Sequence, residues 1–285
     1  MSAKELADSL ESLIVSANDR YASSITKIQN DLYSAIVLKL KDIEIDSDGH
    51  IIQSAKNREI IAEAETLIDD ALSGKYQAAI EEQISIIPKI DNLNVDYFTS
   101  AAEKFKENRN FIKSLQQQTI QNLETNLLQD GLQYQVKQPI ADIMNQNING
   151  GGSFSGFLDQ LRAFIKGDET LDGRLMSYSR GILRDTLFQY SRAYQQAITS
   201  DLGLMWFRYD GGLIDKSREF CRERAGGFFH QSEIEQWAEE DWQGRNRFTT
   251  KSSIFIYCGG YNCGHSLIPV HDSIVPKDDL ERIKK

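Results

Sequence analysis

The sequence predicts a mainly α protein, with an elongated region of long helices followed by a small C-terminal α+β knuckle. Three observations carry that prediction. Apolar residues recur every three or four positions through most of the first two-thirds of the 285-residue chain, the spacing of a helix face. Short runs rich in aromatic and β-branched residues take over after Gly203, as strands require. All three cysteines lie between Cys221 and Cys263, close to the glycine pairs Gly226-Gly227 and Gly259-Gly260.

From Leu6 the apolar positions run through Leu10, Ile14, Ala17, Tyr21, Ile25, Ile28, Leu32, Ile36 and Leu40, close to an eleven-residue repeat that keeps a seam nearly straight. Ile45-Asp-Ser-Asp-Gly-His50 breaks this helix with turn-forming residues. A second helix is expected from Ser54 to Ile87, ending at Pro88, where a backbone donor is lost. The next opens near Asn94 or Asp96, either of which suits an N-cap, and continues through Phe98, Ala102, Phe105, Ile112 and Leu123 to Leu127. Gly131 and Pro139 punctuate the following stretch, and Asn149-Gly-Gly-Gly-Ser153 is the strongest hinge candidate. The predicted organisation is therefore residues 1–150 as the elongated helical region, 151–272 as a second module, and 273–285 as a tail.

Within the second module, Ser153 caps a short helix containing Phe157, Leu161 and Ile165, and a long helix follows from Leu175 to Ile198, stopped by Gly203. Leu204–Tyr209 and Ser253–Tyr257 read as strands, with a helix capped by Ser232 between them. The knuckle spans residues 204–270.

Composition narrows the function classes. A net charge of −10 argues against nonspecific wrapping of nucleic acid, which needs clustered Lys and Arg. No apolar run reaches the roughly 18–20 residues of a membrane span, and the acidic N-terminus does not resemble a signal peptide, so a soluble protein made in the cytoplasm is expected. Three cysteines are too few for a disulfide scaffold and point to thiols or a metal.

Cys221, Cys258, Cys263 and His265 supply the four soft ligands of a tetrahedral zinc site, with His230 and His271 as substitutes for His265. The alternative is a small core of buried thiols, since free cysteine packs as a small hydrophobe. Arg218, Arg222, Arg224, Arg245 and Arg247 make the module locally basic. They can meet DNA or an acidic partner surface, or pair with the interleaved Glu219, Glu223, Glu239, Glu240 and Asp241. Trp237 and Trp242 read as core or interface anchors. His-Glu-x-x-His, phosphate-loop and Gly-x-Ser-x-Gly signatures are absent from the sequence, leaving a Cys–His nucleophile pair as the remaining catalytic option.

The parts also occur in a telling order. A helix bearing Tyr178, Arg180, Arg184 and Tyr194 precedes the Gly203–Phe207 segment, an Asp-x-Ser-Arg-x-x-Cys element at Asp215–Cys221, an Ala-Gly-Gly-Phe-Phe turn at 225–229, and Asn262-Cys-x-His265. Over roughly residues 153–270 this resembles the phage Mu F-like minor head proteins, the phage head morphogenesis family. The chain departs from the family pattern at Arg224, where a second cysteine is frequent, and at Gly264, where arginine is usual. The resemblance implies a non-enzymatic minor structural protein of a tailed-phage virion. It would be present in several copies, bound to portal or major capsid protein, near packaged DNA and away from membranes. Two other roles are open at this point: a metal-binding nucleic-acid or processing enzyme built on the Cys/His knuckle, or an internal protein ejected with the genome.

Overall fold

The computed structural model describes residues 1–102, 105–106 and 109–283. The first apolar seam forms one uninterrupted helix, α1 (Ala3–Leu40), and its seam residues from Leu6 to Leu40 are buried. Beyond it Asp46 folds the connection by accepting the backbone N–H groups of Asp48 (3.0 Å) and His50 (2.8 Å), the local bonding that makes Asp a turn residue. Ser54 then caps α2 (Ala55–Ala71), its hydroxyl accepting from the Asn57 N–H at 3.1 Å.

Past α2 the chain departs from the expected single helix. A π turn (Leu72–Tyr76) leads into α3 (Gln77–Ile84), and a new helix, α4 (Ile87–Ala101), starts with Pro88 in its first turn. Pro88 therefore begins a helix instead of ending one, because first-turn N–H groups have no partner to lose. Asn94 caps nothing. It lies buried within α4, donating to the Ile90 carbonyl (2.9 Å) and accepting from Gln195 (2.9 Å). Ala102 is extended and α5 runs Arg109–Leu128, so the seam expected from Phe98 to Leu127 is split, with parts of the break outside the described residues.

The chain continues through α6 (Asp130–Leu132), a second π turn (Gln133–Lys137), α7 (Gln138–Gly150), α8 (Phe154–Lys166) and α9 (Arg174–Leu202). Next come β1 (Trp206–Asp210), α10 (Glu219–Arg224), β2 (Phe228–His230), α11 (Gln231–Trp237), α12 (Ile254–Tyr257), β3 (Ser266–Val270) and α13 (Lys277–Ile283). No helix among the described residues is long and apolar enough to cross a membrane.

Two compact units are built from discontinuous segments. One holds residues 1–17, 85–120 and 183–285, the other residues 18–84 and 121–182. Gly150 lies inside the second unit, so the chain does not divide there. Its glycines serve as a helix stop: Gly151 takes φ +61° as C-cap of α7, a left-handed conformation costly for other residues. The connection is anchored at both ends, since Ile51 N–H bonds to Gly152 O (3.0 Å) and Phe154 N–H to Gly49 O (3.0 Å). Ser153 caps α8, which packs on α7 and buries Phe157, Leu161 and Ile165.

In the first unit the sheet has the order β2-β1-β3, all antiparallel, with Phe207 opposite both Phe229 and Pro269. β1 is the predicted strand. Pro269 is tolerated because β3 lies at the sheet edge. Ser253–Tyr257, expected as a strand, is helical over Ile254–Tyr257. Thr250 and Ser253 cap each other, Thr250 N–H to Ser253 Oγ at 2.8 Å and Ser253 N–H to Thr250 Oγ1 at 3.2 Å, and this reciprocal bonding nucleates a turn that overrides β propensity. Similarly, α11 is capped by His230, not Ser232, with Glu233 returning a bond to the His230 N–H at 2.8 Å. The tail docks through Arg282, which reaches Glu233 (2.8 Å) and the Phe228 carbonyl (2.9 Å).

Phe157→Ala empties a fully buried site in the second unit. It should lower stability by about 3–5 kcal/mol, read as a reduced urea midpoint with the denaturant slope unchanged.

Candidate metal centre

The knuckle core joins β1, α10, α11 and α12 through Phe207, Tyr209, Phe220, Ile234, Trp237 and Phe255. Trp237 is buried in it, and Trp242 stacks on Phe220 at 4.1 Å between ring centres, so both tryptophans anchor this core as the sequence suggested. Into the same core project Cys221 from α10, Cys258 just after α12, and Cys263 and His265 from the loop leading into β3, all four buried.

One ligand atom each from Cys221, Cys263 and His265 lies within 4.8 Å of the others, a group that could hold a metal ion. The Cys263 Sγ to His265 Nδ1 distance is 3.7 Å, and the Tyr209 hydroxyl donates to Cys221 Sγ at 3.3 Å. His265 stacks on the Tyr209 ring, and its Nε2 is buried without a hydrogen-bond partner. Cys258 stands outside this three-residue group, although its thiol interacts with that of Cys263. His230 and His271 lie outside this group among the described residues, and each uses Nδ1 as a helix cap, accepting from Ser232 N–H (3.3 Å) and Ser273 N–H (3.2 Å).

The cluster needs a residue without a side chain beside it. A Cβ on Gly259 would fall 2.6 Å from Cys221 Sγ, 2.8 Å from Cys263 Sγ and 3.0 Å from the Tyr209 hydroxyl. The two sulfur distances are closer than packed atoms allow, so only glycine fits at 259 beside these sulfurs.

The three thiols ionise unequally. Hydrogen bonds from Cys221 and Cys258 hold Cys263 well below the ordinary thiol range, outweighing desolvation, with His265 and Arg192 adding to the effect. Cys221 is pushed up chiefly by donating to Cys263, and Cys258 chiefly by burial. Sulfur and imidazole nitrogen together are a donor set suited to a soft or borderline cation.

What holds the loop in place was not read from the sequence. Arg192, on the part of α9 in this unit, is buried and donates to the carbonyls of Ile256 (3.0 Å), Cys263 (2.6 Å) and His265. Arg218 takes the carbonyls of Gly259 (3.2 Å) and Tyr261 (2.6 Å), Trp242 Nε1 shares Gly259 O (3.1 Å), and Arg184 reaches Asn262 O (3.3 Å). Asp185 accepts the Asn262 N–H at 2.8 Å. This scaffold supports two residues at unfavourable positive φ, Cys258 (51°) and Asn262 (57°), a conformation that persists only where the surroundings over-determine it.

The remaining basic residues are also engaged locally. Arg222 bonds the carbonyls of Ile214, Asp215 and Ser217, Arg245 those of Ala238 and Thr249, Arg224 pairs with Glu223 and Glu240, and Arg247 lies over Phe248. A cleft of about 90 Å³ is lined by Cys221, Cys263 and His265 together with Glu11, Arg184, Lys216 and Arg218.

In comparison with known proteins, no family model, curated protein or solved structure matches the chain.

Arg192→Ala strands three carbonyls, two of them in buried bonds, and a buried carbonyl costs roughly 1–3 kcal/mol when unpaired. Its urea midpoint should fall sharply, while Arg192→Lys, which keeps the charge but not the fork, falls less. Asp185 gives a pH signature. Burial raises its folded pKa, against the Asn262 hydrogen bond and the Arg192 and Arg184 charges. The folded state therefore binds this proton more tightly than the unfolded chain. The stabilisation is fully present below the ordinary carboxylate pKa and is lost as pH rises through the raised folded value. Asp185→Asn should lack that loss, so the variant should gain on the wild type as pH climbs through this window in parallel denaturation series.

Proposed function

We propose that the chain is a minor structural protein of a tailed-phage head, attached at the portal vertex or the inner capsid and supporting head assembly or completion. The Cys/His knuckle would be a zinc-stabilised structural element, not a reaction centre. The observation that carries this reading is the ordered set of motifs from Asp215 to His265, which resembles that of the Mu F-like family apart from Arg224 and Gly264. Its support in the fold is that the separated motifs belong to one packed module. Cys221, Cys263 and His265 form one cluster, the Gly-Gly-Phe-Phe turn supplies β2 beside β1, and Arg184 bonds the Asn-Cys-x-His loop.

Zinc suits the site because the donors are sulfur and nitrogen, and because structural zinc sites are closed and tetrahedral. Cys221, Cys263 and His265 would hold it, with Cys258 as the fourth ligand. Bound zinc would neutralise thiolate charge in a buried core and tie three chain segments together. An acidic chain of net charge −10 would favour a basic partner surface through long-range attraction.

The protein should be found in purified virions made by the genome that encodes it, in fixed ratio to portal protein, and should remain in heads emptied of DNA. Absence from particles would overturn the proposal, and loss on emptying would favour an ejected internal protein. Protein purified under reducing conditions should carry stoichiometric zinc, reduced in Cys263→Ser. Less than about half an equivalent would remove zinc, a four-ligand structural ion, from the reading.

A further inference from the structure

A cleft distinguishes two of the three buried thiols from the third. Cys221 and Cys263 line it, whereas Cys258 does not. The ligand atoms of Cys221 and Cys263 are no more than 4.8 Å apart, and both sulfurs approach the same empty position beside Gly259. The Tyr209 hydroxyl lies against both, 3.3 Å from Cys221 Sγ and 4.0 Å from Cys263 Sγ. A disulfide requires about 2.05 Å between sulfurs, so closure needs the two side chains to turn toward each other.

We propose that Cys221 and Cys263, which both line the cleft, are a reversible dithiol–disulfide pair that low-molecular-weight disulfides close. The sulfur of one cysteine attacks a sulfur of oxidised glutathione, breaking its S–S bond, and the first glutathione leaves as its thiol. The second cysteine sulfur then attacks the mixed disulfide at the protein sulfur, forming the Cys221–Cys263 bond and releasing the second glutathione thiol. Two cysteine thiols are oxidised, one glutathione disulfide is reduced, and the two cysteine protons end on the two glutathione thiols. Arg184, Lys216 and Arg218 on the walls favour the approach of this anionic reagent, with Glu11 offsetting one charge.

The pair stays reduced against the cytosolic glutathione pool and closes in oxidising surroundings. Closure consumes two of the soft donors, so a metal ion held by them is released. The inference rests on the cleft and the sulfur positions and stands apart from the assignment to a phage head.

The full chain, freed of metal by chelator and reduced, is incubated with oxidised glutathione, denatured with free thiols blocked, and digested without reductant. Trypsin places Cys221 in peptide 219–222, and chymotrypsin cutting after Tyr261 separates Cys258 from Cys263. The expected product is the Cys221 peptide joined to the Cys263 peptide, reopened by dithiothreitol and also formed in Cys258→Ser. A Cys258–Cys263 link as the main product, stable mixed disulfides with glutathione, or fully blocked free thiols would each overturn the proposal.

Discussion

The bond set of Arg192 is the constraint on which the C-terminal module depends. One buried guanidinium gathers carbonyls from both ends of the 256–265 loop, and this loop carries two of the three clustered ligands. Without a fixed donor the Cys263 and His265 carbonyls would lose a buried partner, and the loop would lose a support for Cys258 and Asn262 at positive φ. Burying a cation is costly, and desolvation is offset here by several charge-assisted hydrogen bonds and by the Phe188 ring beneath it at 5.2 Å. The cysteines thus acquire their geometry from an arginine on a helix far away in sequence.

The same logic recurs across the module. Arg218, Arg222 and Arg245 spend their donors on backbone carbonyls, where a run of basic residues would suggest an electrostatic surface. Short sheets and helices leave many backbone groups outside regular ladders, and buried groups require partners. Arginine, with five donors in a rigid fork, satisfies several at once. The basic character of the knuckle is therefore largely internal scaffolding, which weakens the argument for DNA contact.

The long helices were legible because burial follows a period that the sequence displays directly, as Leu6 through Leu40 illustrate. So was β1, whose aromatic residues fill the central strand. The remaining sheet was hidden: β2 spans three residues, Phe228–His230, and β3 contains Pro269, a residue that argues against a strand until its edge position is known. Ser253–Tyr257 misled because its composition favours a strand, while Thr250, whose exchange with Ser253 decides the conformation, lies before the run. The cysteines and His265 stood out by residue type, and three of those four candidates converge. Arg192 did not, because a charged residue on a long helix ordinarily faces water. Its one sequence signal was company: Ser191, Gln195 and Thr199, also buried, form a polar stripe beside an apolar seam.

The bonds from Arg192 to the loop span 64 to 73 residues of sequence. Such contacts close late, after loop entropy has been overcome. During synthesis the α9 segment emerges well before its acceptors exist, and the thiols emerge before the loop that encloses them is complete. For that interval Cys221, Cys258 and Cys263 belong to an open chain, outside the core that later buries them. The ligand cluster takes form only when nearly the whole module is available, so its chemistry also records that synthesis has reached the end of β3.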